Sequence, residues 1–177
     1  NKISCFRLSC NVTLEDGNII SDSENTISHA KITINGGRIE NTSQDGFAFV
    51  YSTVILNAGT IKAANGFKYG GSDNSIINGG VIEVTNDAFY NPQNVVNLNG
   101  TIKAPRYGIY MDESQSSITI GTDDANTPIR NNPVIIADDT AIYKTNGRVS
   151  FYDGTIKGKE NAIVGFATGL PEGYVVK

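Results

Sequence analysis

Three acidic pairs and three arginines are the side chains that acid–base chemistry or cation binding would use: Asp112-Glu113, Asp123-Asp124, Asp138-Asp139, Arg106, Arg130 and Arg148. Glycoside hydrolysis needs two carboxyl groups that flank the bond to be cleaved. Asp123 and Asp124 come closest to this arrangement, because Arg130 lies in the same polar segment. However, no acidic pair recurs at a fixed spacing, and acids in loops are usually solvated turn formers. We therefore predict no enzymatic activity and no catalytic residue, and we keep these three residues as candidate binding residues.

Four tyrosines form a second candidate binding site. They share a position one or two residues after a Phe or an Ile, and they are Tyr69, Tyr90, Tyr110 and Tyr143. In a regular fold this position would place them in a row on one face. Tyrosine rings pack against sugar rings or against an apolar patch of a partner protein. The alternative is that the four rings only cover a corner of the fold, and the sequence leaves both interpretations open.

The composition is typical of an all-β chain with many tight turns. Of the 177 residues, 19 are glycine, and no tryptophan is present. Gly and Asn favour turns, whereas Ile, Val and Thr favour strands. This length corresponds to one domain with a continuous core. The net charge of −4 argues against a nucleic-acid partner, and no apolar run in this segment reaches membrane-spanning length.

The two cysteines, Cys5 and Cys10, lie close together near the start of the chain. They form a disulfide if this segment turns back on itself; otherwise they are two small apolar residues of a terminal cap. Together with the distant His29 they fall short of the four ligands of a structural zinc site. We therefore expect no metal and no other cofactor.

A short motif of glycine, a variable residue and isoleucine repeats along the chain. It begins at five glycines: Gly37, Gly59, Gly80, Gly100 and Gly154. The first four are 22, 21 and 20 residues apart, and such a fixed period is the signature of a repeat architecture. The wider gap before Gly154 fits two repeats and a polar insertion at residues 122–133. Strand segments this short cannot form hairpins with a core of their own, so we predict that successive repeats stack as the coils of a parallel β-helix.

Stacked coils would bring residues of the same column into vertical ladders about 4.8 Å apart. One inward ladder is predicted to contain Ile39, Ile61, Ile82, Ile102, Ile135 and Ile156, and a second to contain Phe47, Phe67, Phe89, Ile109, Ile142 and Ile163. A corner row is predicted at Asn35, Asn57 and Asn78. An outward column of alternating charge is predicted at Glu40, Lys62, Glu83, Lys103, Ala137 and Lys157, an order that avoids like charges on adjacent strands.

These ladders divide the chain into three parts. Residues 1–30 are predicted to cap the N-terminal end, residues 31–166 to form about six coils, and residues 167–177 to be a C-terminal cap or linker. The fold class predicted is therefore all-β, a right-handed single-stranded parallel β-helix with an N-terminal cap. Uncapped ends would expose unpaired strand edges, which favour association with another chain.

The repeats INGGRIENTSQDGFAFV, LNAGTIKAANGFKYG, INGGVIEVTNDAFY, LNGTIKAPRYGIY and FYDGTIKGKENAIV resemble the right-handed parallel β-helix of the pectin-lyase-like superfamily. More narrowly, they resemble the degenerate repeat regions of large secreted or wall-attached proteins of Firmicutes and related bacteria, including adhesins. The resemblance covers roughly residues 30–177. This superfamily includes enzymes, adhesins and scaffolds, so the resemblance implies a fold rather than an activity.

The resemblance implies a non-enzymatic structural or adhesive module of a secreted or cell-surface bacterial protein, which acts as a rigid stalk or binding platform. Expected partners are a host or bacterial surface protein or a glycan. One alternative is a carbohydrate-active module that binds or cleaves polysaccharide, as a lyase or a hydrolase does. Another is a filament subunit that self-associates through the open ends of the β-helix.

Overall fold

The computed structural model describes residues 6–7, 11–121 and 133–165. These residues contain strands and no helix, and every strand pairing is parallel. The chain winds through three sheets in a fixed order and adds one strand to each sheet per coil. Sheet A has eight strands and sheets B and C have seven each, so the fold is an all-β, parallel β-solenoid of about seven turns. The predicted fold class is confirmed.

Each coil passes through sheet B, then sheet C, then sheet A. Sheet B contains Asn11–Leu14, Lys31–Ile34, Thr53–Leu56, Ser75–Ile77, Val95–Leu98, Ser117–Ile120 and Arg148–Phe151. Sheet C contains Asn18–Ser21, Arg38–Asn41, Thr60–Ala63, Val81–Val84, Thr101–Ala104, Val134–Ala137 and Thr155–Gly158. Sheet A contains Phe6–Arg7, Asn25–Ser28, Phe47–Val50, Asn65–Lys68, Phe89–Tyr90, Tyr107–Met111, Thr140–Lys144 and Asn161–Val164.

The solenoid has one coil more than the six predicted. Within the predicted N-terminal cap, residues 11–28 form one strand in each sheet. Val12 lies in register with Ile32, and Ile19 with Ile39, so this segment continues the inward ladders. Cys5, Cys10 and residues 167–177 lie outside the described residues, so the disulfide and the C-terminal cap or linker stay predictions.

The inward isoleucine ladder of sheet C is confirmed. Its members pair in strict register from coil to coil, and those from Ile39 to Ile135 are fully buried. Complete burial of one such side chain contributes about 1.5–3 kcal/mol relative to exposure. The ladder is therefore a large part of what holds successive coils together.

The second inward ladder contains Phe49 where Phe47 was predicted. Phe49 pairs with Ile27 on one side and with Phe67 on the other, whereas Phe47 pairs with Asn65. The rings of Phe49 and Phe67 stack with centroids 4.8 Å apart, and those of Phe67 and Phe89 stack at 4.6 Å. Phe47 is only partly buried and its ring lies 5.4 Å from Lys68 Nζ. The reason is a shorter corner in the next coil, where Ala64 alone separates two strands.

The asparagine row is confirmed as a hydrogen-bonded ladder. Asn57 Nδ2 donates to Asn35 Oδ1 and Asn78 Nδ2 donates to Asn57 Oδ1, both at 2.7 Å. Each amide both donates and accepts, which is what permits a continuous chain of side-chain hydrogen bonds along the corner.

The column of alternating charge is confirmed from Glu40 to Lys103, with one correction. Lys62 Nζ lies 2.9 Å from Glu83 Oε2, and the hydrogen bond and charge of Lys62 lower the pKa of Glu83. Ile136, not Ala137, continues the column, because it pairs with both Lys103 and Lys157. The insertion predicted at residues 122–133 lies almost wholly outside the described residues. In the part of the chain that the structure describes, no helix is long and apolar enough to cross a membrane.

Candidate binding surface

Three of the four candidate tyrosines form one column on the outer face of sheet A. Tyr90 pairs with Tyr110, and Tyr110 pairs with Tyr143, in strands that follow one another in the sheet. The rings of Tyr90 and Tyr110 are 5.1 Å apart with an interplanar angle of 14°, and those of Tyr110 and Tyr143 are 5.3 Å apart at 4°. Side chains of one column lie one strand spacing apart, so the rings stack along the solenoid.

Tyr69 belongs to a different column, one residue further along the chain. Its ring stacks on that of Tyr51 at 4.9 Å, and Tyr51 lies 5.2 Å from the ring of His29. These three residues occupy the corner that follows sheet A in successive coils. All three have a positive φ, at 53° for His29, 48° for Tyr51 and 60° for Tyr69. A left-handed backbone is uncommon for residues other than glycine and is unfavourable for bulky ones.

Lys68 joins the two tyrosine stacks. It precedes Tyr69 and pairs with Tyr90 in the sheet. Its Nζ lies 5.5 Å from the ring centre of Tyr69 and 5.8 Å from that of Tyr90, which is within cation–π range. Tyr107 tilts against the second stack, 5.3 Å from Tyr110 and 5.4 Å from Tyr143.

These residues make one continuous surface across six coils. We call it the tyrosine stripe, and it consists of His29, Tyr51, Lys68, Tyr69, Tyr90, Tyr107, Tyr110 and Tyr143. Five steps of about 4.8 Å give a length of roughly 24 Å. Within each stack a ring turns its face toward the ring of the next coil. The stripe therefore offers mainly ring edges and phenol hydroxyls to solvent.

Two carboxylates fix the orientation of the phenols. Tyr110 Oη donates to Asp112 Oδ2 at 3.0 Å, and Tyr69 Oη donates to Glu113 Oε1 at 3.4 Å. Partial burial, and then the hydrogen bond and charge of Asp112, raise the pKa of Tyr110 to about 12. Burial also raises the pKa of Tyr69 and of Tyr90, and nearby carboxylates add to both shifts. The three phenols therefore stay protonated at neutral pH.

An ion pair between the buried Asp87 and the half-exposed Arg106 supports Tyr107. The Asp87 carboxylate is 1% exposed and accepts hydrogen bonds from Arg106 Nε at 2.7 Å, from Arg106 Nη2 and from the Tyr107 backbone N–H at 3.3 Å. Arg106 Cζ lies 5.1 Å from the centre of the Tyr107 ring. Arg106 therefore connects the buried carboxylate to the stripe.

An open groove of about 450 Å³ lies at the His29 end of the stripe. His29 and Tyr51 line one side, and the residue 70–73 loop lines the other. Lys31 Nζ bonds Asp73 Oδ2 of this loop at 3.0 Å. The groove arises because the corner after Tyr69 is several residues longer than the corners after His29 and Tyr51.

The acidic candidates are not brought into one cluster. Asp112 accepts a hydrogen bond from Asn91 Nδ2 at 2.6 Å in addition to that from Tyr110. Its carboxylate therefore positions both the Asn91 corner and the Tyr110 phenol. Asp139 accepts from the Thr140 hydroxyl at 3.0 Å. Among the described residues, no group of three or more His, Cys, Asp or Glu side chains is placed to hold a metal ion. Asp123, Asp124 and Arg130 lie outside the described residues, and their role stays a prediction.

Sequence reasoning missed four members of the stripe: His29, Tyr51, Lys68 and Tyr107. His29 and Tyr51 are 22 residues apart, which is the period of the glycine motif. That spacing was therefore a usable signal. Tyr69 follows Tyr51 by only 18 residues, because the short corner at Ala64 moves it out of the period.

No protein-family model matches the chain, and comparisons with curated proteins and with solved structures found no match either. The parallel solenoid is established by the strand pairings. The pectin-lyase-like and bacterial surface-protein assignments stay predictions.

Proposed function

We propose that the domain is a non-enzymatic adhesive module of a secreted or cell-surface bacterial protein. In this proposal the solenoid is a rigid platform, and the tyrosine stripe is the surface that contacts the partner. The surface location rests on the resemblance of the repeats. The binding role rests on the geometry of the stripe.

The observation that carries the proposal is the aromatic corner at His29, Tyr51 and Tyr69. A left-handed conformation costs a side chain with a Cβ roughly 1–2 kcal/mol, and Tyr51 is still 46% exposed. The same corner is formed by Asn91 in the next coil and by Gly165 near the end, with φ of 47° and 87°. The turn itself therefore does not need an aromatic residue. Backbone strain of this kind concentrates where a protein binds something.

The carboxylates beside the stripe favour binding over catalysis. Asp87, Asp112 and Glu113 each accept hydrogen bonds that position a neighbouring ring or corner. This gives each of them a structural role. The alternatives of polysaccharide cleavage and of assembly through the solenoid ends stay predictions.

The ladders favour the role of a rigid platform. The same buried columns run through successive coils, so bending the solenoid would open contacts between stacked isoleucine or phenylalanine side chains. Close-packed interiors resist such deformation. Aromatic rings on the outer face of such a solenoid therefore keep their spacing when a partner binds.

A binding screen with matched variants tests the proposal. The folded domain is applied to arrays of glycans and of extracellular proteins as wild type, as Tyr110→Ser/Tyr143→Ser and as Tyr51→Asn. Asparagine is chosen because Asn91 holds the same left-handed corner. The control is Tyr152→Ser, since Tyr152 is 38% exposed and lies outside the stripe.

We expect wild type and the Tyr152 variant to bind the same ligands, and both stripe variants to lose them while keeping the wild-type circular dichroism spectrum. Equal binding by all four proteins would refute the assignment of the stripe. Loss of thermal stability in Tyr51→Asn that matches its loss of binding would instead make the aromatic corner a stabilising feature.

A further inference from the structure

We infer that the tyrosine stripe binds one extended, neutral polysaccharide chain that lies parallel to the solenoid axis, with about one pyranose residue per coil. This inference rests on the proposed function, because it takes the stripe as the contact surface. It adds the chemical class of the ligand, its direction and its length.

The first argument is the periodicity of the stripe. Its stacked rings repeat at 4.9 Å for Tyr51 and Tyr69, and at 5.1 and 5.3 Å for the column from Tyr90 to Tyr143. A pyranose ring in an extended chain with equatorial linkages advances by a similar distance. Successive sugars can therefore meet equivalent groups on successive coils without bending the chain.

The second argument is the chemistry that the stripe presents. Because the ring faces in each stack are turned toward one another, a ligand meets the ring edges, which carry partial positive charge. The phenol hydroxyls add donors and acceptors, and Lys68 adds an ammonium group between the two stacks. Ring edges, hydroxyls and an ammonium group attract oxygen atoms. A chain rich in hydroxyl groups supplies these along its whole length.

The third argument is that two cations beside the stripe already have carboxylate partners. Lys31 is paired with Asp73, and Arg106 with Asp87. An acidic polysaccharide would meet the carboxylates of Asp112 and Glu113, on a chain with a net charge of −4. A neutral chain avoids this repulsion.

The groove at the His29 end supports one terminal sugar. Its exposed Lys31–Asp73 pair places a donor and an acceptor side by side, and a sugar hydroxyl both donates and accepts. Exposed ion pairs of this kind contribute little stability. Inserting a hydroxyl between the two groups is therefore inexpensive.

Calorimetric titration with oligosaccharides of increasing length tests the inference. The probes are cello-, xylo- and manno-oligosaccharides as di-, tetra-, hexa- and octasaccharides. Malto-oligosaccharides are the matched control, because the same glucose units joined by axial bonds give a curled chain. Oligogalacturonates are the acidic control. The proteins are wild type, Tyr51→Asn, Tyr143→Ser and Tyr152→Ser.

We expect affinity for at least one extended neutral series to rise up to the hexasaccharide and then to level off, because the stripe crosses six coils. Tyr51→Asn and Tyr143→Ser, which alter opposite ends, should each weaken hexasaccharide binding about tenfold, or ~1.4 kcal/mol, and should affect the disaccharide less. Tyr152→Ser should bind as wild type does.

Three results would overturn the inference: no binding of any extended neutral series, equal binding of the malto-oligosaccharides, or preference for the oligogalacturonates. In each case the proposed function is judged separately by the array screen. A protein or a branched glycan whose binding is lost in the stripe variants would leave the adhesive role standing. Binding that no stripe variant changes would refute both.

Discussion

Replacing Arg106 should destabilise the domain more than replacing Asp87, although the two residues form one ion pair. The Asp87 side chain is 1% exposed, whereas the Arg106 side chain is 48% exposed. Removing the arginine leaves a carboxylate inside the protein with the Tyr107 N–H as its remaining donor. Removing the acid leaves a guanidinium group that water already reaches.

The difference follows from what each variant leaves unpaired. Breaking a buried pair by removal of one partner costs about 3–5 kcal/mol, and Arg106→Ala should fall near 3 kcal/mol because water gains access where the arginine was. In Asp87→Asn the amide oxygen still accepts from Arg106 Nε and from the Tyr107 N–H. This variant loses the charge assistance and the hydrogen bond from Arg106 Nη2, because the amide NH2 group takes the place of the second carboxylate oxygen, and it should cost about 1–2 kcal/mol.

Urea unfolding followed by circular dichroism measures both variants, together with the double variant and Arg148→Ala. The last is the matched control, since Arg148 is an exposed arginine, and its loss should change the free energy of unfolding by less than about 0.5 kcal/mol. The double variant should be more stable than Arg106→Ala alone. If Arg106→Ala cost no more than Asp87→Asn, the reasoning from the buried carboxylate would be wrong.

Three further outcomes test the ladders and the stripe. Phe67→Ala should lower the free energy of unfolding in urea by about 3–5 kcal/mol, and Phe47→Ala by less than half of that; equal losses would put Phe47 back into the inward ladder. The pKa of Tyr110 is raised to about 12, whereas the pKa of an unfolded tyrosine is about 10. The stability that this difference contributes is therefore complete below about pH 10 and is lost as the pH rises to about 12. Phenolate absorbance and thermal melts across this pH range check the shift. In Asp112→Asn the pKa of Tyr110 should move toward that of an unfolded tyrosine, and an unchanged pKa would exclude the carboxylate as a cause. Asn57→Ala removes two amide hydrogen bonds of an exposed corner and should cost about 1–2 kcal/mol in thermal unfolding, and no measurable change would mean that the asparagine ladder does not stabilise the solenoid.

The inward ladder of sheet C could be predicted because its signal is local and repeated. In six of the seven described coils a glycine lies two residues before the inward isoleucine of sheet C. This position has a positive φ or lies close to a neighbouring backbone, and an added Cβ at Gly37 would lie 2.2 Å from Gly17 O. Gly17 itself precedes Ile19 and lies 20 residues before Gly37. The same rule therefore extends to the first coil.

The second ladder was misassigned because two small–bulky pairs overlap in the segment Gly46-Phe47-Ala48-Phe49. An average period favours Phe47, but the register depends on corner lengths. Compared with the preceding coil, the corner before Asn65 is several residues shorter and the corner after Tyr69 is several residues longer. The coil therefore keeps its length, but its strand in sheet A begins earlier in the sequence than an average period predicts. No local preference of the two phenylalanines reveals this compensation.

The stripe changes columns in the middle, although the strands of sheet A stay in register there. Ahead of Tyr90 the aromatic position is the corner residue, as at Tyr51. From Tyr90 onward it lies within the strand, one residue earlier in the coil, and Asn91 takes over the corner. Lys68 and Tyr69, which are adjacent in the chain, belong to one column each and connect the two halves. The inward ladders continue through this change, since Phe67 still stacks on Phe89 at 4.6 Å. A solenoid thus separates the residues that hold coils together from those on its outer face. Corners can lengthen, shorten or change their aromatic residues without disturbing the core. The fold could therefore be predicted from the repeat, whereas the candidate surface could be predicted only in part.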